Sequence, residues 1–90
     1  MYWVYILKSQ TTTKFYVGST EDVSRRLREH NGELPSPGRS TLAGRPWTLV
    51  FSAPYAARSE AMVAERFIKK MKSRKWIDRL IEGTYRLPDL

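Results

Sequence analysis

Two short runs of aromatic and β-branched residues near the start of the chain constrain the fold more than any other feature. Residues 3–7 and residues 14–18 each have the composition of a β-strand, and the polar residues 9–13 between them suit a turn. Strands joined by so short a connection pair antiparallel. The sequence therefore predicts an N-terminal β-hairpin.

A first helix is predicted directly after the hairpin. Thr20 is a candidate N-cap, and Glu21 and Asp22 follow it at positions where the helix dipole favours negative charge. The helix is expected to cover residues 21–30 and to end at the Asn-Gly pair that comes next, which is a common stop signal.

The second half of the chain predicts one strand and two helices. Residues 31–46 suit a loop because they contain three prolines and three glycines, residues 47–51 suit a third strand, and Pro54 is expected to end it. Ser59 and Ser73 are candidate caps of two further helices. Their apolar stripes at helical spacing are Ala61, Ala64, Phe67, Ile68 and Met71 in the second helix and Trp76, Ile77, Leu80 and Ile81 in the third.

These elements follow in the order β-β-α-β-α-α, which predicts the α+β class. The expected architecture is a small three-stranded antiparallel sheet flanked by helices, or a three-layer sandwich. Gly83 is expected to end the last helix. Residues 1–83 would then form the single domain that 90 residues allow, with residues 84–90 as a loosely packed C-terminal tail.

The composition excludes several classes of site. The chain has no cysteine, so it has no disulfide, no thiolate zinc site and no cysteine nucleophile; we expect a reducing compartment, the cytoplasm. No apolar run approaches the ~20 residues that span a bilayer, and the apolar start is read as the first strand and not as a signal peptide. Sixteen Lys and Arg against nine Asp and Glu give a net charge of +7, whose usual partners are nucleic acid and anionic membranes, although such a charge can also serve solubility alone. Of these partners we expect nucleic acid and no membrane.

Five side chains are candidates for chemistry. Tyr5 and Tyr16 lie one in each strand of the hairpin, where alternation can bring both phenols to one face of the sheet. Arg26 and His30 are four residues apart and therefore share one face of the first helix. Glu65 lies at the edge of the apolar stripe of the second helix.

Each of these residues, taken singly, also has a purely structural interpretation. The tyrosines could be packing residues with exposed hydroxyls, and His30 could complement the dipole at the end of its helix. Arg26 could pair with Asp22, and Glu65 with Lys69.

Taken together, the residues resemble the GIY-YIG endonucleases over residues 2 to about 81. The closest resemblance is to their small single-domain members and to the N-terminal nuclease domain of a bacterial excinuclease. The two signature tripeptides correspond to Trp3, Val4 and Tyr5 and to Tyr16, Val17 and Gly18. The chain differs from the family pattern at Trp3, where the signature has glycine, and at Ser19, where some relatives have lysine.

The resemblance implies a role for each candidate. Glu65 would hold one divalent cation, Mg²⁺ or Mn²⁺, because Mg²⁺ is often bound through a single carboxylate, waters and substrate phosphate. Arg26 would bind the scissile phosphate, Tyr16 would orient or deprotonate the attacking water, and Tyr5 would hydrogen-bond the water or the phosphate. His30 is the alternative base, because we expect its imidazole to titrate near neutrality.

A cluster of cations extends this candidate site. We expect these side chains to contact the phosphate backbone in a salt-dependent way that tolerates different sequences. They are Arg25, Arg39, Arg66, Lys69, Lys70, Lys72, Arg74 and Lys75.

The sequence therefore predicts a metal-dependent endonuclease that cleaves double-stranded or branched DNA, in repair or in the processing of branched DNA. RNA stays open as a substrate. The alternatives are a nucleic-acid-binding module without turnover and a nuclease subunit that needs a protein partner for targeting.

Overall fold

The strand that begins the chain forms the centre of the sheet. In the computed structural model, which describes residues 1–35 and 42–87, the strand order is β2-β1-β3 and both pairings are antiparallel. The elements are β1 (Tyr2–Ser9), β2 (Phe15–Thr20), α1 (Val23–His30), a 3₁₀ turn (Leu42–Gly44), β3 (Trp47–Tyr55), α2 (Arg58–Met71) and α3 (Arg74–Glu82). The predicted hairpin, element order and α+β class are confirmed.

Strand β1 is buried on both faces. Val4, Tyr5, Ile6 and Leu7 are each at most 1% exposed. Because successive side chains point to opposite faces of a strand, Val4 and Ile6 enter one core while Tyr5 and Leu7 enter another.

Each face of the sheet is covered by different helices. Val4, Ile6 and Val17 pack with Ala64 and Ile68 of α2 and Leu80 of α3. On the opposite face, Tyr5, Leu7 and Trp47 pack with Val23 and Leu27 of α1. The molecule therefore has three layers, with α1 on one side of the sheet and α2 and α3 on the other. This is the three-layer alternative that the sequence allowed.

The predicted start of α1 is wrong by two residues. Thr20 pairs with Trp3 and so belongs to β2, which delays the helix. Asp22 is the N-cap instead, and its Oδ1 accepts a hydrogen bond of 3.0 Å from the backbone N–H of Arg25. The predicted end is confirmed, because Asn31 is the C-cap and the residue that follows it has a left-handed backbone.

Two further boundaries differ from the prediction. Strand β3 continues through Pro54 to Tyr55, because β3 is an edge strand and an edge tolerates the missing N–H of proline. Helix α2 begins at Arg58, and the N–H of its N-cap, Ala57, donates to Glu60 Oε1 at 3.0 Å, so the predicted Ser59 cap is wrong.

The cap and the end of α3 are confirmed. Ser73 Oγ accepts a hydrogen bond of 3.2 Å from the N–H of Trp76, and Gly83 ends the helix with a φ of 87°. Beyond it, Tyr85 lies beside Trp76, with ring centroids 6.3 Å apart, and Leu87 packs against the core of α2 and α3. The predicted tail at 84–90 extends past the described residues, and the boundary at residue 83 stays a prediction.

The end of α1 is tied to the start of β3. The side chain of Asn31 donates to the carbonyl of Trp47 at 3.0 Å and accepts from its N–H at 2.6 Å. Arg45 Nε donates to the carbonyl of His30 at 2.8 Å. These bonds fix the position of His30 above the sheet. Separately, no helix within residues 1–35 and 42–87 is long and apolar enough to cross a membrane.

The buried face of α2 should dominate its contribution to stability. Ile68 is fully buried, and Ile68→Ala is expected to lower the free energy of unfolding by about 2–5 kcal/mol through lost burial and a cavity. Val63, on the same helix, is 44% exposed, so Val63→Ala should change the free energy by at most about 0.5 kcal/mol. Urea denaturation measures both, and equal losses would contradict the packing described here.

Candidate active site

Both candidate tyrosines lie on the face of the sheet that α1 covers. Tyr5 on β1 pairs with Gly18 of β2, and Tyr16 pairs with Leu7, so the two rings are neighbours with centroids 6.3 Å apart. The shared face that the hairpin predicted is therefore confirmed. Tyr16 also packs edge-on against Trp47, at 6.3 Å between ring centroids.

Gly18 is a site residue whose role the sequence did not reveal. A Cβ atom placed on Gly18 would lie 2.6 Å from Tyr5 Oη and 2.8 Å from Tyr5 Cζ. The ring of Tyr5 therefore crosses β2 through space that only glycine leaves open. A glycine inside a strand often marks the close approach of another group, so the position of Gly18 in the predicted second strand could have indicated this contact.

His30, the last residue of α1, lies against the two tyrosines. Its Nε2 shares a hydrogen bond of 3.0 Å with the hydroxyl of Tyr5, and its ring centroid is 4.5 Å from that of Tyr16. The side chain is buried, with 3% of the residue exposed. His30 is thus in contact with both tyrosines.

Burial keeps both partners of the Tyr5–His30 hydrogen bond neutral. It raises the pKa of Tyr5 well above its ordinary value, and the nearby phenol of Tyr16 raises it further. Burial, together with the positive charge of Arg26, lowers the pKa of His30 to about 4. The expectation that His30 titrates near neutrality is therefore wrong, because the sequence did not show that the imidazole is shielded from water.

Arg26 lies beside Tyr5 and is held by Glu29. Its Nη1 donates to Glu29 Oε1 at 2.6 Å, while Arg25 Nε binds Glu29 Oε2 at 3.2 Å. The hydrogen bond from Arg26 lowers the pKa of Glu29, which is only 8% exposed, and the same bond raises the pKa of Arg26. The alternative that Arg26 pairs with Asp22 is not what the structure has. Sequence reasoning missed Glu29, although its spacing of three residues from Arg26 permits this pair.

The ion pair between Arg26 and Glu29 leaves part of the guanidinium available to a ligand. Glu29 accepts a hydrogen bond from only one nitrogen of Arg26, Nη1. A guanidinium has five N–H donors in a planar fork. Glu29 can thus orient Arg26 without using up the donors that a phosphate needs.

Glu65 comes from the other side of the sheet and is held at the end of β2. Its Oε1 accepts a hydrogen bond of 2.8 Å from Ser19 Oγ, and its Oε2 accepts one of 2.7 Å from Lys69 Nζ. The pairing with Lys69 that the sequence offered as a structural alternative is therefore present. The position where some relatives have lysine is occupied here by a serine that orients the carboxylate.

Tyr5 connects the residues of the two layers. The charges of Arg26 and Glu65 both act on its phenol, one from α1 and the other from α2. The structure thus gathers Tyr5, Tyr16, Arg26 and His30 closely, with Glu65 at the adjoining end of β2. The roles of these residues stay predictions.

The carboxylate of Glu65 suits a divalent cation such as Mg²⁺ that has few protein ligands and keeps most of its water. Its side chain is 22% exposed, so a hydrated ion can reach it. Within residues 1–35 and 42–87, no group of three or more His, Asp or Glu side chains is placed to hold a metal. One carboxylate with waters and a substrate phosphate suits Mg²⁺, which keeps much of its water, and does not suit a closed zinc site.

The predicted cations are spread over several surfaces. Arg25 has a side chain that is 70% exposed, and Arg74 donates to the carbonyl of Thr13 and lies 5.2 Å from the centroid of the Phe15 ring. Arg39 lies outside the described residues. The cations of α2, its C-cap and the first turn of α3 that remain are exposed: Arg66, Lys69, Lys70, Lys72 and Lys75.

Replacement of Gly18 tests the packing of Tyr5. Gly18→Ala should lower the free energy of unfolding by about 1–3 kcal/mol, because its Cβ overlaps a buried ring. Tyr5→Phe removes the nearest atom, so the double variant should lose less than the sum of the two single losses. Denaturation of the four proteins measures this coupling, and strictly additive losses would show that Tyr5 does not cross Gly18.

The lowered pKa of His30 predicts an acid-sensitive fold. His30 is neutral in both states above its ordinary pKa of 6.5, whereas the unfolded chain takes up the proton first as the pH falls toward about 4. Stability should therefore be complete above pH 6.5 and fall by roughly 2–3 kcal/mol over that window. In His30→Gln, denaturation curves should show a flatter pH dependence; an equal slope in both proteins would contradict the buried neutral imidazole.

Comparisons with known proteins identify the family of this chain. The GIY-YIG catalytic domain family matches residues 1–78. The solution NMR structure of a UPF0213 protein from Bacillus halodurans is similar with a TM-score of 0.52 and 30% identity, covering 91% of this chain and 84% of that one.

Curated relatives carry the name structure-specific endonuclease subunit SLX1. The protein from Schizosaccharomyces pombe is 47% identical over 51 residues, which is 53% of this chain and 19% of the relative. The protein from Meyerozyma guilliermondii is 37% identical over 76 residues, which is 80% of this chain and 26% of the relative. The chain thus spans about a fifth to a quarter of the length of these proteins. Since the catalytic-domain family matches far more than half of the chain, the protein belongs to the GIY-YIG family.

Proposed function

We propose that the protein is a divalent-metal-dependent endonuclease that hydrolyses phosphodiester bonds of branched DNA at a single-metal site. The observation that carries the proposal is the convergence of Tyr5, Tyr16, Arg26 and Glu65, which come from four different elements. Phosphodiester hydrolysis needs an oriented water, positive charge at the phosphoryl oxygens and support for the leaving oxygen. These side chains, with one cation, cover the three needs.

Arg26 is the residue that binds the scissile phosphate. Glu29 holds one edge of its guanidinium, so the remaining N–H donors have a fixed direction before the substrate arrives. A prepositioned, charge-assisted donor is most effective where negative charge develops in the transition state. Glu29 also keeps Arg26 beside the phenol of Tyr5.

Tyr16 is the residue that orients the attacking water. Its ring is half-buried, whereas His30 is shielded and has its Nε2 joined to Tyr5. A base must come within hydrogen-bond reach of the proton that it removes, so His30 acts on the water only through the hydroxyl of Tyr5. Tyr5, with its raised pKa, stays protonated and serves as a hydrogen-bond donor or relay.

Glu65 holds the cation, and Ser19 fixes the carboxylate. When bound, Mg²⁺ or Mn²⁺ supplies positive charge to a phosphoryl oxygen and to the leaving 3′ oxygen. The ammonium of Lys69 lies 2.7 Å from Oε2 of Glu65, so it would also be in reach of a phosphate bound beside this carboxylate.

The relatives support branched DNA as the substrate and a protein as the targeting partner. Their name describes a subunit of a structure-specific endonuclease. The cationic surface of this chain provides backbone contacts, which position a nucleic acid but carry no sequence information. We therefore propose that specificity comes from the shape of the DNA and from a partner, in a repair setting.

Cleavage of flap, fork, four-way-junction and plain duplex DNA tests this function. With Mg²⁺ or Mn²⁺ the protein should cut branched DNA, and EDTA should abolish cutting. Glu65→Gln and Arg26→Ala should each lower kcat by about 10²–10³, since each removes transition-state charge stabilisation. Arg26→Lys should recover only part of the loss, because lysine lacks the planar fork.

The matched control is Glu82→Gln, the same substitution at an exposed position near the end of α3, which should cut as well as the wild type. Salt-sensitive binding without cutting in all proteins would favour a binding module over a nuclease. Cutting that prefers RNA, or that survives Glu65→Gln, would overturn the substrate or the metal site, respectively.

A further inference from the structure

A crevice beside Glu65 has no role in the chemistry described so far. It has a volume of about 270 Å³ and lies where the start of β1 and the end of β2 meet the start of α2. We call it the Tyr2–Arg58 crevice; its lining residues are Tyr2, Ser19, Thr20, Glu21, Arg58 and Met62. Pockets that enclose a whole small ligand are usually ~300–1,000 Å³, so this one suits a single unit of a longer chain.

The crevice is continuous with the candidate metal carboxylate. Ser19 lines it and also donates the 2.8 Å hydrogen bond to Glu65 Oε1. Met62 on α2 precedes Glu65 by three residues, which is ~4.5 Å along a helix. A strand of nucleic acid that leaves Glu65 toward the start of α2 would pass the mouth of the crevice.

One stripe of α2 has the spacing of a nucleic-acid track. Arg58, Met62, Glu65 and Lys69 follow one another at intervals of four, three and four residues, so they lie on one side of the helix. Arg58 and Glu65 are then ~10 Å apart along the helix axis. One strand of duplex DNA rises ~3.4 Å per nucleotide along the duplex axis, so with α2 parallel to that axis this distance corresponds to about three nucleotides.

The lining provides groups for each part of a nucleotide. Arg58 is exposed, and within the part of the chain that the structure describes its guanidinium has no ion pair or hydrogen bond, which leaves its fork for a phosphate. Tyr2 is half-buried and Met62 is 40% exposed, and an aromatic ring beside a thioether suits a base or sugar. The carboxylate of Glu21 repels phosphate, so the phosphate should take the Arg58 side.

We propose that the Tyr2–Arg58 crevice is a subsite for one nucleotide of the bound strand, near the third position from the phosphate at Glu65. Its phosphate binds Arg58, and its base or sugar contacts Tyr2 and Met62. The inference rests on the proposed function in taking nucleic acid as the ligand, but it requires neither a metal ion nor cleavage.

Methionine-methyl NMR with thymidine 5′-monophosphate in EDTA tests the subsite. The chain has three methionines: Met62 reports on the crevice, and Met71, 36% exposed at the far end of α2, is the internal reference. The nucleotide should shift Met62 more than Met71, and inorganic phosphate should shift Met62 less than the nucleotide does. Arg58→Gln should weaken the binding reported by Met62 about fivefold, and Tyr2→Ala about tenfold.

Arg79→Gln is the matched control, because it removes the same charge from an exposed position on α3. It should leave the Met62 titration within about 1.5-fold of the wild type. Equal weakening by Arg58→Gln and Arg79→Gln, or equal shifts of Met62 and Met71, would overturn the subsite. A positive titration in a protein that cuts no DNA would refute the nuclease and leave the subsite standing, so the two failures are distinguishable.

Discussion

The burial of β1 on both faces is the constraint on which the rest of the structure depends. Four consecutive residues, Val4 to Leu7, are removed from water, and alternation divides them between two cores. One core attaches α2 and α3, and the other attaches α1. Since the candidate residues lie on helices of both layers, the site exists only because a single strand holds both layers in place. Gly18 is also required, because without a Cβ it leaves room for the ring of Tyr5 to cross β2.

The charge of each side chain in the site depends on whether the side chain is paired with an opposite charge or shielded from water. Tyr5 and His30 are buried together in neutral forms, which avoids the cost of a buried charge. Arg26 keeps its charge because Glu29 compensates it, and the carboxylate of Glu65 pairs with the ammonium of Lys69. The site thus presents a fixed cation, an accessible carboxylate and a phenol that does not ionise, and this combination suits an anionic substrate and a hydrated metal ion.

Residue patterns within a single strand, hairpin or helix predicted those parts of the site that lie within that same element. The common face of Tyr5 and Tyr16 followed from strand alternation across a short hairpin. Contacts between distant segments were beyond such patterns. Thr20 looked like a helix cap but is held in β2 by pairing with β1, and Ser19 meets Glu65 across 46 residues of sequence. The pKa of His30 depends on shielding by the folded chain, which composition and spacing do not contain.

In the proposed function, the end of β2 and the middle of α2 form one cation site at Glu65. Paramagnetic broadening of amide NMR signals by substoichiometric Mn²⁺ tests it most directly, without substrate or turnover. We expect the strongest broadening at the amides of Ser19 and Glu65, and we expect Glu65→Gln to abolish it. Broadening centred on the acidic pair Glu21 and Asp22, and unchanged by Glu65→Gln, would contradict it.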